Sequence, residues 1–239
     1  MSATPERERQ AAHIAAARVW STRLWSELEA AARFRALVPA LIAGQASRGV
    51  VAMAERAAAD ELRHAALCRQ LVEHFGGPAP PEPTIVVVEP VAPLEVAPSQ
   101  RVLFEVIALS CVTETLSTAL LAELIRPAVD RECKRVMRSI LRDEVRHSRL
   151  GWAYLAEQHA RGAPDCVGPH LASMLQATLG SDFWRATPRH AEVTDLVGLG
   201  QLEHAQRQRI VLETLQHVVF PGLERFGVDT TRGRKWCGA

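Results

Sequence analysis

The chain carries almost no net charge: 28 basic and 27 acidic side chains leave a formal +1. Bulk electrostatics therefore point to neither nucleic acid nor an anionic membrane as a partner. Cysteine is scarce and unpaired. Cys68, Cys111, Cys133, Cys166 and Cys237 are odd in number and form no Cys-x-x-Cys, so a reduced cytoplasmic protein is expected. The first residues, Met1-Ser2-Ala3-Thr4-Pro5-Glu6-Arg7, lack the apolar core of a signal peptide. No run of 18 uncharged apolar residues occurs, which predicts no membrane span. Strand-like alternation, a solenoid repeat and a Gly-rich phosphate loop are also missing. What remains is 239 residues, 48% apolar, rich in Ala, Leu and Val and poor in aromatics. That composition suits an all-α protein with a sizeable core.

Residues 1–7 are polar and expected to fray. Trp20, Leu24, Ala31, Phe34, Val38 and Leu41 make an apolar stripe that predicts a helix from about Glu8 to Ala43. Glu27 falls in that stripe. Glu29 falls outside it, where it can pair with Arg33, and is the alternative to Glu27. Pro39 is placed to kink or end the helix. After the turn at residues 44–47, a second helix is expected from Ser47 to Phe75, closed by Gly76-Gly77. Residues 78–99 hold seven of the fourteen prolines. This reads as a crossover with residues 85–88 tucked against a helix, or else as a domain linker. Ser99 to Ile125 predicts a third helix, with Ile107, Ser110, Cys111, Glu114, Ser117, Thr118 and Leu121 on one face. A fourth runs from about Ala128 to Arg161. A shorter helix (Pro169–Leu179) and a longer one (Thr194–Phe220) should pack outside. The expected organisation is a four-helix bundle over 8–161 with its Pro-rich crossover at 76–99, a C-terminal helical extension over 162–228, and a disordered tail over 229–239.

One pentapeptide pattern, Asp-Glu-x-Arg-His, occurs twice, at Asp60–His64 and Asp143–His147, and supplies the only two Glu-x-x-His matches. Glu at i and His at i+3 share a helix face and can reach one point in space. Each motif has a lone stripe-face Glu upstream: 34 residues separate Glu27 from Glu61, and 30 separate Glu114 from Glu144. An antiparallel hairpin brings residues at such separations level. Glu27, Glu61, His64, Glu114, Glu144 and His147 thus give four carboxylates and two imidazoles. Four carboxylates neutralise two divalent cations, and each imidazole adds one nitrogen ligand. Without cations, four converging buried carboxylates would repel at a cost of about several kcal/mol each. Asp60 and Asp143 are placed to orient the histidine of the opposite motif, and Arg63 and Arg146 to hold those aspartates. The other reading makes them solvated helix charges.

The order Glu, Glu-x-x-His, Glu, Glu-x-x-His resembles the ferritin-like di-iron carboxylate superfamily over about residues 10–160. Cys111-Val112-Thr113-Glu114-Thr115-Leu116 and the second motif look like those of small bacterial ferritin-like domain proteins. The Asp-Glu-x-Arg-His form is similar to that of the oxygen-activating branch, the multicomponent monooxygenases and ribonucleotide reductase small subunits. The resemblance implies a ferritin-like bundle and two iron ions, Fe/Fe with Mn/Fe as the variant. Cys68 lies where reductase subunits keep a radical tyrosine and methane-monooxygenase-type hydroxylases a cysteine. Thr118 lies where those hydroxylases place a threonine that handles oxygen and protons. With Glu114, the resemblance casts these as catalytic, although small-residue packing also explains Cys68 and Thr118. Arylamine N-oxygenases carry a further histidine where this chain has Ile140.

The implied activity is a di-iron oxidase or oxygenase that activates dioxygen to hydroxylate, N-oxidise or otherwise oxidise a small organic substrate. Electrons would come from a reductase or ferredoxin, and a monomer or homodimer is expected. Ser110, Cys111, Ser117, Thr118 and Gly151 are small and would leave room beside the metals. The alternative is a ferroxidase or iron-handling protein, against which the long crossover and the extra helices count. The absence of Cys-x-x-Cys counts against a rubrerythrin-type peroxidase.

Overall fold

A computed structural model describes residues 5–78, 81, 86–162, 165–180 and 196–238. Among these residues the chain is all-helical, without a strand. Four long helices carry the six metal-type side chains: α1 (Pro5–Ala43), α2 (Arg48–His74), α3 (Pro98–Ile125) and α4 (Arg131–Ala160). Three shorter ones follow. These are α5 (Leu171–Leu179), α6 (residues 204–225) and α7 (Thr231–Trp236).

The local signals explain the helix ends. Glu6 and Glu8 sit in the first turn of α1, where the helix dipole favours them. The helix runs on through Pro39, and Leu37 rather than Val38 completes the fully buried stripe. The Ser47 hydroxyl accepts from the Val50 N–H and starts α2. Gly76, at φ 75°, takes the left-handed position after α2, and the Gly77 N–H closes onto the Val72 carbonyl at 2.9 Å. Asp130 caps α4 by accepting from the Cys133 N–H at 2.8 Å. Within α3, residues Ile107–Glu114 are π-helical, and the Thr113 hydroxyl reaches back to the Ala108 carbonyl, 3.0 Å away. A π segment inserts a residue into the helical ladder and re-aims the side chains that follow.

Contacts at both ends fix the directions. The Arg161 guanidinium donates to the Gln45 carbonyl (2.6 Å), and the Ser47 N–H donates to Glu157 (3.1 Å). At the opposite end His74 pairs with Asp130 at 3.0 Å. α2 and α4 are therefore antiparallel. α1 and α2 are too, since His13 near the start of α1 packs edge-on against Phe75. Gly151 packs on Ser110 and Cys111 while Ser117 meets Glu144, so α3 and α4 also run oppositely.

The core is divided by the polar residues. One apolar cluster contains Phe34, Leu41, Ala57, Phe104, Leu150 and Tyr154. The other contains Trp20, Leu24, Cys68, Leu71, Met137 and Ile140. The six-residue layer lies between them. Each fully buried Leu or Phe contributes roughly 1.5–3 kcal/mol, which offsets the cost of holding a charged layer inside. α3 is long and apolar enough to cross a membrane, but 67% of its most apolar stretch is buried within the protein.

Several expectations are revised. The tail is not loose: Thr231–Trp236 is helical, Gly233 sits against Leu171 and Phe220, and Cys237 joins the core. The C-terminal helices share one apolar cluster with the long helices, through Leu171, Met174, Leu215 and Phe220. In the crossover, Ala92 and Val96 are the buried anchors, and the Ala92 N–H donates to Glu105 at 2.7 Å. Val87 is exposed, Val86 and Val88 are half-buried, and Ile85 lies outside the described residues. The expected helix start at Thr194 also lies outside them.

Candidate metal centre

α2 and α4 each present a Glu and a His three residues apart, α1 presents Glu27, and Glu114 ends the π segment of α3. All six side chains are buried. Ligand atoms of Glu27, Glu61, His64 and Glu144 lie within 4.8 Å of one another, and so do those of Glu61, Glu114, Glu144 and His147. The two groups share Glu61 and Glu144. Each adds its own terminal carboxylate and its own imidazole.

The histidines face the cluster through Nδ1. His64 Nδ1 lies 3.1 Å from Glu61, 3.8 Å from Glu27 and 3.9 Å from Glu144. His147 Nδ1 lies 2.7 Å from Glu61 and 3.3 Å from Glu144. The outer nitrogens cross over: His64 Nε2 meets Asp143 at 3.2 Å and His147 Nε2 meets Asp60 at 3.4 Å. An Nε2–H donating to an aspartate leaves the Nδ1 lone pair for a cation. Arg63 bonds Asp60 at 2.6 Å and also Asp143, while Arg146 bonds Asp143 and reaches Asp60 at 3.4 Å. The two arginines are half-exposed and cover one flank of the histidines.

Three cluster atoms, Glu61 Oε1, Glu144 Oε2 and His147 Nδ1, are buried without a hydrogen bond. His147 Nδ1 is close to Glu61 Oε1, but the two are not aligned as donor and acceptor. A cation at this point would satisfy all three. The donor set of oxygens and imidazole nitrogen is compatible with a metal site.

The electrostatics express the same crowding. Burial raises the Glu61 carboxyl to about 7, against the pull of both histidines. Burial and then the charge of Glu144 push Glu114 well above the usual carboxylate range. Burial also opposes the charge on the imidazoles, but the carboxylates outweigh it and lift His64 to about 10 and His147 to about 9. Glu27 differs. Burial pushes it up, yet His64 and Arg23 bring it down to about 2. In the metal-free protein, protons on the imidazoles and on Glu114 therefore do the neutralising that cations would do.

The other sequence candidates fall into place around this layer. Glu29 is exposed and paired with Arg33 at 2.8 Å, which removes it as a ligand. Cys68 is fully buried, and burial, reinforced by Glu27, keeps its thiol protonated. The Thr118 hydroxyl donates to the Glu114 carbonyl at 2.8 Å, so it is engaged by its own helix and not offered to the cluster. Ser117 is the hydroxyl that reaches the cluster, 3.4 Å from Glu144. Ser110, Cys111 and Gly151 leave no space; they form the contact between α3 and α4. Sequence reasoning missed Arg23, one turn before Glu27, whose Nε donates to Glu27 at 3.1 Å. Its spacing was the available signal.

A cavity of about 490 Å³ lies between α1, the crossover and α3. Ser26 and Ala30, which flank Glu27, and Thr113, which precedes Glu114, are in its wall; Val88–Val91 form the opposite side. Its volume is that of a small-molecule site. No protein-family model, no curated protein and no solved structure matches this chain.

Proposed function

We propose that the protein is a non-haem di-iron oxidase or oxygenase with a ferritin-like bundle, acting on a small organic substrate. The observation that carries this reading is the pair of overlapping four-residue groups sharing Glu61 and Glu144. Shared carboxylates between two donor sets suit two cations held side by side, Fe/Fe or Mn/Fe, and not a single ion. When bound, such a pair supplies redox chemistry on dioxygen.

The protein's own part is orientation, dryness and charge. Glu61 and Glu144 would link the two positions. Glu27 with His64, and Glu114 with His147, would complete them. Asp143 and Asp60 hold the imidazole Nε2–H groups, so both Nδ1 atoms face inward. Arg63 and Arg146 keep those aspartates in place and close that flank. The two apolar clusters exclude bulk water from above and below. Cys68 adds a neutral thiol near Glu27, and Ser117 a hydroxyl at Glu144. The cavity along α1 and α3 is the substrate's approach in this reading, because its wall includes neighbours of both terminal carboxylates. Electrons would be delivered by a reductase or ferredoxin.

Aerobic challenge with excess Fe(II) tests the choice of function. An oxygenase retains about two irons per chain and consumes dioxygen with an organic co-substrate and reductant. Continued uptake to a mineral core, with no organic product, would replace this reading with iron handling.

A further inference from the structure

The internal repeat makes the two halves of the centre look equivalent, but their flanks differ. Four residues before the lone Glu, the first half has Arg23 and the second has Ser110. Arg23 Nε donates to Glu27 Oε1 at 3.1 Å, and its Nη2 donates to the Ser117 hydroxyl at 3.4 Å. That hydroxyl donates in turn to Glu144 Oε1, 3.4 Å away. One guanidinium thus ties α1 to α3 and, through Ser117, to a shared carboxylate on α4. It does so from a half-sheltered position, 22% exposed, with the Trp20 ring 5.9 Å from its Cζ. In the other half Ser110 is fully buried and its hydroxyl has no partner. The groups within reach of Glu114 are Glu61, Glu144 and His147.

We propose that Arg23 is a positioning residue that makes the two metal positions unequal, preparing the Glu27–His64 position to bind the first cation and leaving the Glu114–His147 position to fill second. This rests on the metal-pair reading above. Two effects of Arg23 compete. Its charge repels a cation. Its hydrogen bonds hold Glu27 Oε1 still and leave Oε2, the oxygen 3.8 Å from His64 Nδ1, for a ligand bond. The carboxylate stands between the guanidinium and the cation position and is already paired with it, so the repulsion is largely neutralised. The orientation of Glu27 and Glu144 is settled before binding, and that cost is not met again when the cation arrives. Glu114 ends a π segment, and its neighbours in the cluster are Glu61, Glu144 and His147 rather than a guanidinium.

Titration of the metal-free protein with Co(II) alone, followed by calorimetry and visible absorption, tests this without reference to activity. Wild type should bind in two resolved steps. Glu27→Gln should remove the tighter step and Glu114→Gln the weaker. Arg23→Leu should weaken the tight step about tenfold or more, the range found when groups supporting a ligand are lost, with a smaller effect on the weak step through the shared Glu144. Arg23→Lys should recover part of the loss. Ser117→Ala, the milder variant if Arg23→Leu does not fold, should weaken the tight step less. The proposal is overturned if Arg23→Leu leaves the tight step unchanged or strengthens it, or if Glu114→Gln abolishes the tight step. No Co(II) binding by wild type would instead overturn the metal-pair reading, and this proposal with it.

Discussion

Gly151→Ala should loosen the six-residue cluster from a position that touches none of its side chains. A Cβ at residue 151 would lie 2.7 Å from Cys111 Sγ, 2.7 Å from Ser110 Cβ and 2.8 Å from the Cys111 backbone nitrogen. Ordinary contacts begin at about 3.5 Å, so the overlap is about 0.7–0.8 Å at three atoms. A side-chain sulfur can swing aside, but a backbone nitrogen inside a helix cannot. Overpacking of this kind costs about 1–3 kcal/mol. Replacing a helical glycine returns about 1 kcal/mol of propensity. The repulsion wins, because relief requires α3 to move as a body. The expected net loss is up to about 2 kcal/mol, or up to roughly 8 °C in melting temperature for a chain of this length. Since Ser110 and Cys111 belong to the π segment that ends at Glu114, the weaker of two metal-binding steps should soften as well. Gly49→Ala is the control: its nearest neighbour would be Ser47 Oγ at 3.7 Å, so it should be neutral or stabilising. Thermal unfolding of both variants by circular dichroism reads the difference. Gly151→Ala melting at or above wild type would refute the close helix contact.

Stability of the metal-free protein should fall as pH rises from about 4.5 to 10. Folding raises Glu61 from 4.5 to about 7, His147 from 6.5 to about 9 and His64 from 6.5 to about 10, and it raises Glu114 as well. Each therefore stabilises the fold below its ordinary value and loses that contribution as pH climbs through the raised one. Metal binding displaces these protons, so calorimetry in buffers of different ionisation enthalpy should show proton release, and loading should reverse the pH trend. Flat stability across that window would contradict the protonated cluster. Asp143→Asn should weaken metal affinity about 10–100-fold with the fold intact; an unchanged titration would make the Asp–His contact incidental. Ala30→Trp, which fills the cavity beside Glu27, should abolish turnover of an organic substrate while leaving metal content unchanged. Normal turnover in that variant would place the substrate elsewhere.

The sequence pattern located the four long helices because each is marked by an apolar stripe and bounded by turn chemistry: Ser47, Gly76-Gly77, Asp130. The six ligand candidates were legible because a doubled motif and two stripe-face glutamates are rare. The π segment was not, since Ile107–Val112 is a buried run, apolar except for Ser110, whose composition suits either helix type. Arg23 was missed because a basic residue beside an apolar stripe ordinarily faces water; only the approach of Ser117 from α3 reveals its second partner. The small residues Ser110, Cys111 and Gly151 suggested open space, yet small residues serve equally to bring two backbones close. α7 is short, basic and without a stripe, and it becomes a helix only because Leu171 and Phe220 supply a surface to lie on.

The most direct measurement is the number of metal ions bound per chain after anaerobic loading with Fe(II) and removal of excess. The six-residue centre predicts about two, falling to about one in Glu114→Ala or His147→Ala with the helices intact. Fewer than about one in the wild-type protein would contradict the account at its root.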